Sequence, residues 1–394
     1  MRKIRLMDII FMLFLLVIAF DPTGTYTSYL KFILFAALVC YGFGDAVSCN
    51  RKALRSNVQI ILSLIILPIV GISVAIISGS LDDVDYALGH MMTMLFVLMF
   101  FYISTMNLYT LLKCFWFVGV ILSIVTLSLI ALSQLWDFQL IYSICIDNPN
   151  FMMAVDRNFL GIPVNGVYFR CGPWIMFAFI YHLYKYHGPF KIVLSIILYL
   201  ALALCGSRTP FIMHTIILLV YFYDTKIFGR FVSHIGLVLG IIGILFLAYN
   251  LATQKDESSN ELKFANVESY VEDIFSNNHL LIGAGVGSVF YAKGNGEKLA
   301  FSELSYFDLL RMYGIFMGTY FALMYFVPVI NCRKYYRNNL FLRRFMLGYC
   351  LFLILAGTNP LLLGPIAIIP LTVAMSICQR VRTGAEPASI NLCY

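Results

Sequence analysis

Long apolar runs, separated by short charged breaks, dominate the pattern of hydrophobic and polar positions along this chain. A helix that spans a bilayer needs about 20 predominantly apolar residues, and most of the runs approach that length. They lie at 6–20, 29–47, 58–78, 88–105, 111–133, 171–184, 190–206, 209–223, 232–250, 306–330, 342–357 and 360–378. The pattern predicts an all-α, polytopic integral membrane protein with about twelve transmembrane helices in a single transmembrane domain over residues 1–394.

The overall composition agrees with a membrane solvent. Hydrophobic residues make up 61% of the 394 positions and charged residues only 12%, whereas an average soluble domain is about half apolar and about a quarter charged. A chain of this composition has too few polar residues to form the surface of a soluble protein, so an ordinary soluble enzyme is excluded. The first run follows the basic sequence MRKIR, and no small-residue cleavage site precedes Asp21. This arrangement is typical of an uncleaved signal anchor.

The distribution of charge between alternate loops predicts the orientation. With the N-terminus in the cytoplasm, roughly two thirds of the 27 Lys and Arg residues fall on the cytoplasmic side, and most acidic residues fall outside. Such a bias in short loops sets membrane orientation, so we expect both termini to be cytoplasmic. The net charge of +7 then reflects a basic inner face against anionic membrane lipid, and we expect no nucleic-acid partner.

Polar sequence is concentrated in two long outer segments, 134–170 and 251–305, which we expect to be extended loops that carry function. Within the second, residues 258–275 place apolar side chains at helical spacing, which predicts an amphipathic helix on the outer membrane surface. The apolar positions are Leu262, Val267, Tyr270, Val271 and Ile274. The cytoplasmic connections are short and contain no phosphate-binding Gly-rich motif, so a nucleotide-binding module is not expected.

Four arginines near the outer boundary are not explained by orientation: Arg157, Arg170, Arg208 and Arg311. An arginine at membrane depth is costly and usually has an anionic partner, and its planar fork suits phosphate oxygens. For Arg311, an ion pair with Asp308 three residues earlier explains the charge about as well as a ligand does. Arg170 can instead reach the lipid headgroups, Arg157 lies in acidic loop sequence where solvation is sufficient, and Arg208 has no acidic neighbour in sequence.

Two further titratable residues are candidates. Glu303 shares a segment with Arg311, Tyr306 and Phe307, a setting in which a carboxylate can act as a base, although an acid before a span is most often solvated. His279 follows the predicted amphipathic helix, where a lone histidine is commonly a helix cap.

Three other patterns have a structural and a functional interpretation. Glycines at 283, 285 and 287 resemble a phosphate cradle but suit tight helix packing equally well. The acidic run Asp82, Asp83 and Asp85 is more typical of a solvated loop than of a cation site. Cys145 and Cys171 lie at the ends of one polar loop, where a disulfide is conceivable. We expect no metal and no cofactor.

Several of these segments together resemble the O-antigen polymerase and O-antigen ligase superfamily of bacterial inner-membrane glycosyltransferases. The segments are YFRCGP at 168–173, LALCGSRTPFI at 202–212, NNHLLIGAGVGSVF at 277–290 and SELSYFDLLRMYGIFMG at 302–318. Ligases of this superfamily typically show a His-Asn pair where this chain has Ser302 and Glu303, which favours a polymerase. A ligase, and a lipid-linked oligosaccharide flippase or transporter, remain the alternatives.

The resemblance implies glycosyl transfer at the periplasmic face of the inner membrane, between undecaprenyl diphosphate-linked oligosaccharide units, with a chain-length regulator as a further partner. On this basis the candidate catalytic residues are Arg170, Arg208, Glu303 and Arg311. The candidate substrate-binding residues are Arg157, His279, Tyr306 and Asp308. The donor carries its own leaving group, so positive charge for the diphosphate and a carboxylate near the acceptor hydroxyl are the groups that the protein must supply.

Overall fold

The structure, a computed structural model, describes residues 5–49, 51–136, 138–148, 152–159, 162–226, 229–253, 257–276, 279–302, 304–357 and 359–383. The first seven helices within these ranges are α1 (Leu6–Phe20), α2 (Ser28–Cys49), α3 (Arg51–Ser78), α4 (Val84–Met94), α5 (Met99–Thr105), α6 (Leu108–Leu135) and α7 (Phe138–Asp147). The others are α8 (Trp174–Lys185), α9 (Lys191–Ala203), α10 (Arg208–Thr225), α11 (Arg230–Thr253), α12 (Glu257–Ser276), α13 (Ser305–Cys332), α14 (Leu340–Gly357) and α15 (Pro365–Thr383).

The chain is mostly helical, as expected, but the all-α prediction needs a correction. Two antiparallel hairpins are present, β1 (Met152–Phe159) with β2 (Ile162–Phe169), and β3 (Phe290–Ala292) with β4 (Glu297–Leu299). Both lie in the long connections that we expected to be extended loops. The first connection also contains α7. Backbone pairing within each hairpin satisfies N–H and C=O groups that an unstructured loop at this boundary would leave without partners.

Each apolar run coincides with a helix, and the run at 88–105 is divided into α4 and α5 by a 3-10 turn at Leu95–Leu98. Within the described ranges, six helical stretches are long and apolar enough to cross a membrane. They are Ser28–Asp45, Asn57–Ser78, Val84–Thr105, Leu108–Leu135, Ser305–Tyr335 and Leu340–Gly357. The structure thus supports a membrane protein, while twelve spans and cytoplasmic termini stay predictions.

Helix α8 lies at the centre of the bundle. Every residue from Trp174 to Tyr184 is buried, as expected for a helix that is hydrophobic on all sides. Two glycines let neighbouring helices approach it closely: Gly119 of α6 lies against Ala178, and Gly348 of α14 lies against Ile180. Small residues at such crossings allow backbones to pack without a cavity.

Contacts between helix ends define two ends of the bundle. At the end that carries the long connections, called the loop end, Ser133 Oγ donates to Asn165 O (3.0 Å) and Trp174 Nε1 donates to Ile366 O (2.8 Å). The opposite end, called the basic end, contains Arg5, Lys185, Arg344 and Arg380. There Arg344 Nε donates to Asp224 Oδ2 (2.6 Å) and Arg380 Nη2 donates to Ile103 O (2.9 Å). Helices joined by these contacts alternate in direction.

The predicted orientation can be checked by labelling the two ends with a membrane-impermeant maleimide. Because Gly296 lies at the loop end and Lys334 follows α13 at the other, we expect G296C to be labelled in intact spheroplasts and K334C only after permeabilisation. Labelling is scored as the gain over wild type, since the chain has ten cysteines. Labelling of both variants from the same side would contradict the alternating topology.

Candidate functional site

The Gly-rich segment 283–288 is clamped between α13 and the α3–α4 region. All four backbone N–H groups from residue 283 to residue 286 already donate to main-chain carbonyls, at 2.7–3.0 Å. The acceptors are the carbonyl oxygens of His279, Arg311, Met312 and Gly71. A phosphate cradle needs free N–H groups, so packing is the interpretation that the structure supports for these glycines.

Gly285 shows why the segment requires glycine. Its φ is +86°, in the left-handed region, and a Cβ built there would lie 2.6 Å from Ala75 Cα on α3.

The acidic run beside this segment forms local hydrogen bonds. Asp83 accepts from Tyr86 N (2.8 Å) as the N-cap of α4, and the Asp82 and Asp83 N–H groups donate to Gly287 O.

Arg311 is fully buried, and its two terminal nitrogens donate hydrogen bonds to protein atoms. Nη1 donates to Ser288 Oγ (2.8 Å), and Nη2 donates to the carbonyl oxygens of Ser288 (3.0 Å) and Ala300 (2.5 Å). The guanidinium carbon lies 4.7 Å from the ring centroid of Phe290 on β3. This arrangement ties the Gly-rich segment and the β3–β4 hairpin to the first turns of α13.

The carboxylate that pairs with Arg311 is Asp273 on α12. Arg311 Nη1 lies 3.9 Å from Asp273 Oδ2, and His279 Nδ1 lies 3.5 Å from the same oxygen. The ion pair with Asp308 that sequence spacing suggested is not formed. The His279 ring does not cap α12 but lies beside the Asp273 carboxylate within that helix. Two predicted site residues, His279 and Arg311, are therefore close to the same carboxylate.

Asp308 takes part in a second buried network. Its Oδ1 accepts from the Tyr270 hydroxyl (2.5 Å) and from Ser302 N (3.3 Å), and the Tyr270 hydroxyl also lies 2.8 Å from Ser302 Oγ. Burial and the neighbouring Asp308 carboxylate raise the pKa of Tyr270 well above its usual value. Tyr270 therefore remains a neutral donor that links α12 to α13.

The helix predicted at 258–275 is present as α12, but the buried side of its apolar stripe packs on protein. Tyr270 and Ile274 contact Phe290 and Ala292 of β3, and Phe307 of α13 packs against the same cluster. Val271 is exposed, as are Phe264 and Phe275 on the same side of the helix. The face with Tyr270 is therefore an intramolecular one, and contact of this helix with the membrane surface stays a prediction.

Arg170 and Arg208 lie on two segments that contact each other at the loop end. Arg170 follows β2, and Arg208 is the first residue of α10. A Cβ at Gly166 of β2 would lie 2.7 Å from Cys205 O, in the α9–α10 turn. Both arginines are half-buried, and burial lowers the pKa of the Arg170 guanidinium. Backbone contact therefore joins the two chain segments that carry these guanidinium groups.

The remaining candidates are placed as follows. Tyr306 Oη donates to Leu353 O (3.2 Å), and its ring covers Gly357 of α14, so its side chain contributes to helix packing. Arg157 lies on β1, where only the backbone is described. Glu303 lies outside the described residues. Ser305 beside it donates to Asn359 O (2.7 Å), which joins the start of α13 to the α14–α15 connection.

Five of the eight predicted residues therefore fall into two groups at the loop end. One contains Arg311, Asp308 and His279, and the other contains Arg170 and Arg208. Sequence reasoning missed Asp273, Ser288 and Ser302 as polar partners of the first group, and it counted Tyr270 only as an apolar position. The sequence did contain a signal for one buried face: Asp273 and Ile274 follow Tyr270 by three and four residues, which places them on the same side of a helix.

Cysteine and metal chemistry adds little to this picture. Cys145 and Cys171 are both buried free thiols, so the conceivable disulfide is not formed. Within the described ranges, His, Cys, Asp and Glu side chains form no cluster that can hold a metal ion.

Comparison with known proteins gives no assignment. No protein-family model matches the sequence, and no curated protein matches it.

The packing role of Gly285 can be tested against a glycine of the same backbone geometry. Gly296 has a φ of +72° but no atom within 4 Å of a built Cβ, so G296A carries only the left-handed strain of about 1–2 kcal/mol. G285A adds the overlap with α3, and we expect about 1–3 kcal/mol of further destabilisation. The thermal unfolding of both purified variants measures this difference, and equal melting temperatures would refute the clamp.

The Tyr270 hydroxyl is expected to stabilise the contact between α12 and α13. Y270F leaves the buried Asp308 carboxylate without its closest donor, which costs about 1–3 kcal/mol. Y291F is the control, since Tyr291 is 57% exposed on the adjacent strand. Protease protection of α12 and the melting temperature should both fall for Y270F alone; loss in both variants would point to a general effect of the hairpin.

Proposed function

We propose that this protein is a membrane-embedded glycosyltransferase of the O-antigen polymerase type. It transfers a growing glycan from undecaprenyl diphosphate to a hydroxyl of the next lipid-linked repeat unit. The reaction takes place at the loop end, which faces the periplasm when the basic end is cytoplasmic. Membrane lipid and a chain-length regulator are further proposed partners.

The observation that carries the proposal is the contact between the segments bearing Arg170 and Arg208. The two arginines lie on adjoining segments at the end of an apolar bundle, and there they place positive charge for a lipid-linked anion that approaches from the bilayer. A diphosphate leaving group requires charge of this kind as it develops its full negative charge. Proximity to the bundle lets the lipid tail remain between helices.

The proposed transfer uses no nucleotide. The acceptor hydroxyl oxygen bonds to the anomeric carbon of the donor glycan while the bond from that carbon to the diphosphate oxygen breaks. The electron pair leaves with the diphosphate, which Arg170 and Arg208 stabilise, and the hydroxyl proton passes to a base, for which Glu303 is the candidate.

In this proposal, the first group of residues positions the second long connection. The terminal nitrogens of Arg311 donate hydrogen bonds to Ser288 and Ala300. The Asp308 carboxylate accepts a hydrogen bond from Tyr270 of α12. Ala300 and Ser302, which precede Glu303 in the sequence, are thus held by buried hydrogen bonds to Arg311 and Asp308. Positioning of a base by such a scaffold is a common requirement of acid–base catalysis.

The test is polymer formation by purified protein in lipid nanodiscs, with the lipid-linked repeat unit of its native strain as both donor and acceptor. We expect wild type to form a ladder of products and R208A to lose about 100-fold or more in rate. R208K should also fail, because an ammonium cannot form the two-pronged contact. K298A, at an exposed position of β4, is the control.

Three outcomes would overturn the proposal. Full activity in R208A would remove Arg208 from the site. Absence of any polymer with wild type, combined with transfer of single units to lipid A–core acceptor, would indicate a ligase. Movement of units across the bilayer without new glycosidic bonds would indicate a flippase.

A further inference from the structure

Lys31, in the first turn of α2, places an ammonium group inside the protein at the loop end. Its side chain is 3% exposed. Nζ donates to Pro22 O at 3.2 Å and lies 5.6 Å and 5.9 Å from the ring centroids of Phe32 and Phe96. One carbonyl and two aromatic rings are a sparse environment for a group with three donors.

The neighbouring acid, Asp21, attracts this lysine electrostatically but forms no direct ion pair with it. Its carboxylate accepts N–H groups of four successive residues, 24 to 27, at 2.7–2.9 Å, and also the Thr27 hydroxyl at 2.8 Å. Burial opposes ionisation of Asp21, but these hydrogen bonds outweigh it and hold its pKa below the usual range. Across the part of the chain that the structure describes, no carboxylate forms an ion pair with Lys31.

The chain segments that carry Lys31 and Arg170 both contact the end of α1. Both residues that flank Arg170 contact the last turn of α1: the Phe169 and Phe20 rings are 5.7 Å apart, and Cys171 Sγ donates to Ile18 O (3.2 Å). The Lys31 ammonium binds Pro22 O just beyond the same turn. Helix α2 and the β2–α8 turn, each with one cationic residue, thus meet at the end of α1.

Gly24 lies directly over the ammonium. It has a φ of +79°, and a Cβ built there would lie 2.5 Å from Lys31 Nζ. The flanking Thr23 and Thr25 are exposed. The absence of a side chain at position 24 therefore lets the ammonium lie beneath a turn whose neighbouring residues are at the surface.

We propose that Lys31 is a phosphate-binding residue, acting beside Arg170 on the diphosphate of the lipid-linked donor. A buried cation without a direct ion pair is expensive to maintain, and an anionic ligand supplies such a contact. The compact ammonium contacts one phosphate oxygen as a point charge, while the Arg170 fork can hold two. This inference rests on the proposed function, and it adds α2 to the donor site.

The test measures binding by purified protein in neutral-lipid nanodiscs, with geranylgeranyl diphosphate as the probe and phosphatidylglycerol as the headgroup comparison. K31Q retains an amide donor for Pro22 O but loses the charge. We expect its Kd for the diphosphate to rise at least tenfold. K113Q is the matched control, because the Lys113 ammonium also lies over an aromatic ring, 6.0 Å from that of Tyr109, but at the basic end.

Each result has a defined meaning. Equal binding of the diphosphate by wild type and K31Q would overturn the role of Lys31 and leave the proposed function standing. Failure of wild type to bind the diphosphate would remove the proposed function and this inference together. An equal loss for phosphatidylglycerol and diphosphate in K31Q would make Lys31 a headgroup contact and overturn its assignment to the donor.

A second variant separates ligand binding from folding. K31M replaces the buried charge with an unbranched apolar chain, so its ligand-free melting temperature should equal or exceed that of wild type. A clear fall in melting temperature would show that Lys31 is kept to cap α1, which contradicts the proposal even if K31Q does not fold.

Discussion

The structure depends on one constraint: a backbone N–H or C=O group near an apolar bundle must find a partner within the protein. The segment 283–286 meets it by donating to carbonyls of α3, α13 and its own turn. Glycine at position 285 makes this possible, since a side chain would overlap α3. The second long connection is thereby joined to the bundle through main-chain bonds, and its side chains are left to form the buried networks around Asp308 and Arg311.

These networks hold the second long connection, and they lie apart from the two arginines proposed to bind the donor. Arg311 and Asp308 are buried and bonded to protein, whereas Arg170 and Arg208 are half-buried on contacting segments. Arg311 directs Nη1 and Nη2 to a hydroxyl and two carbonyls, which a ligand would have to displace at the full cost of unsatisfied buried groups.

Much of the fold was predictable, because apolar runs of spanning length have few alternatives to helices. The amphipathic helix was also found within one residue at each end, at Glu257–Ser276 against 258–275. The contacts of this helix were not predicted, because Phe264, Val271 and Phe275 make its exposed side apolar as well. Periodicity alone does not show which of two apolar faces is buried. The strand MMAVDRNF lacks a clear alternation, and its pairing with β2 depends on tertiary context. Asp273 and Lys31 were missed because their partners are distant in the chain or defined only by burial.

Helix α13 is interrupted at Gly314, where φ is +71° and ψ is 176°, and Ile315 N donates to Leu280 O instead of continuing the helical ladder. The turns before Gly314 are consequently a separate helical segment with partners on two sides. The Arg311 and Met312 carbonyls accept main-chain hydrogen bonds from the 279–302 connection, while Ser305 and Tyr306 donate to the carbonyls of Asn359 and Leu353. This short segment therefore bridges the second long connection to α14 and the α14–α15 connection.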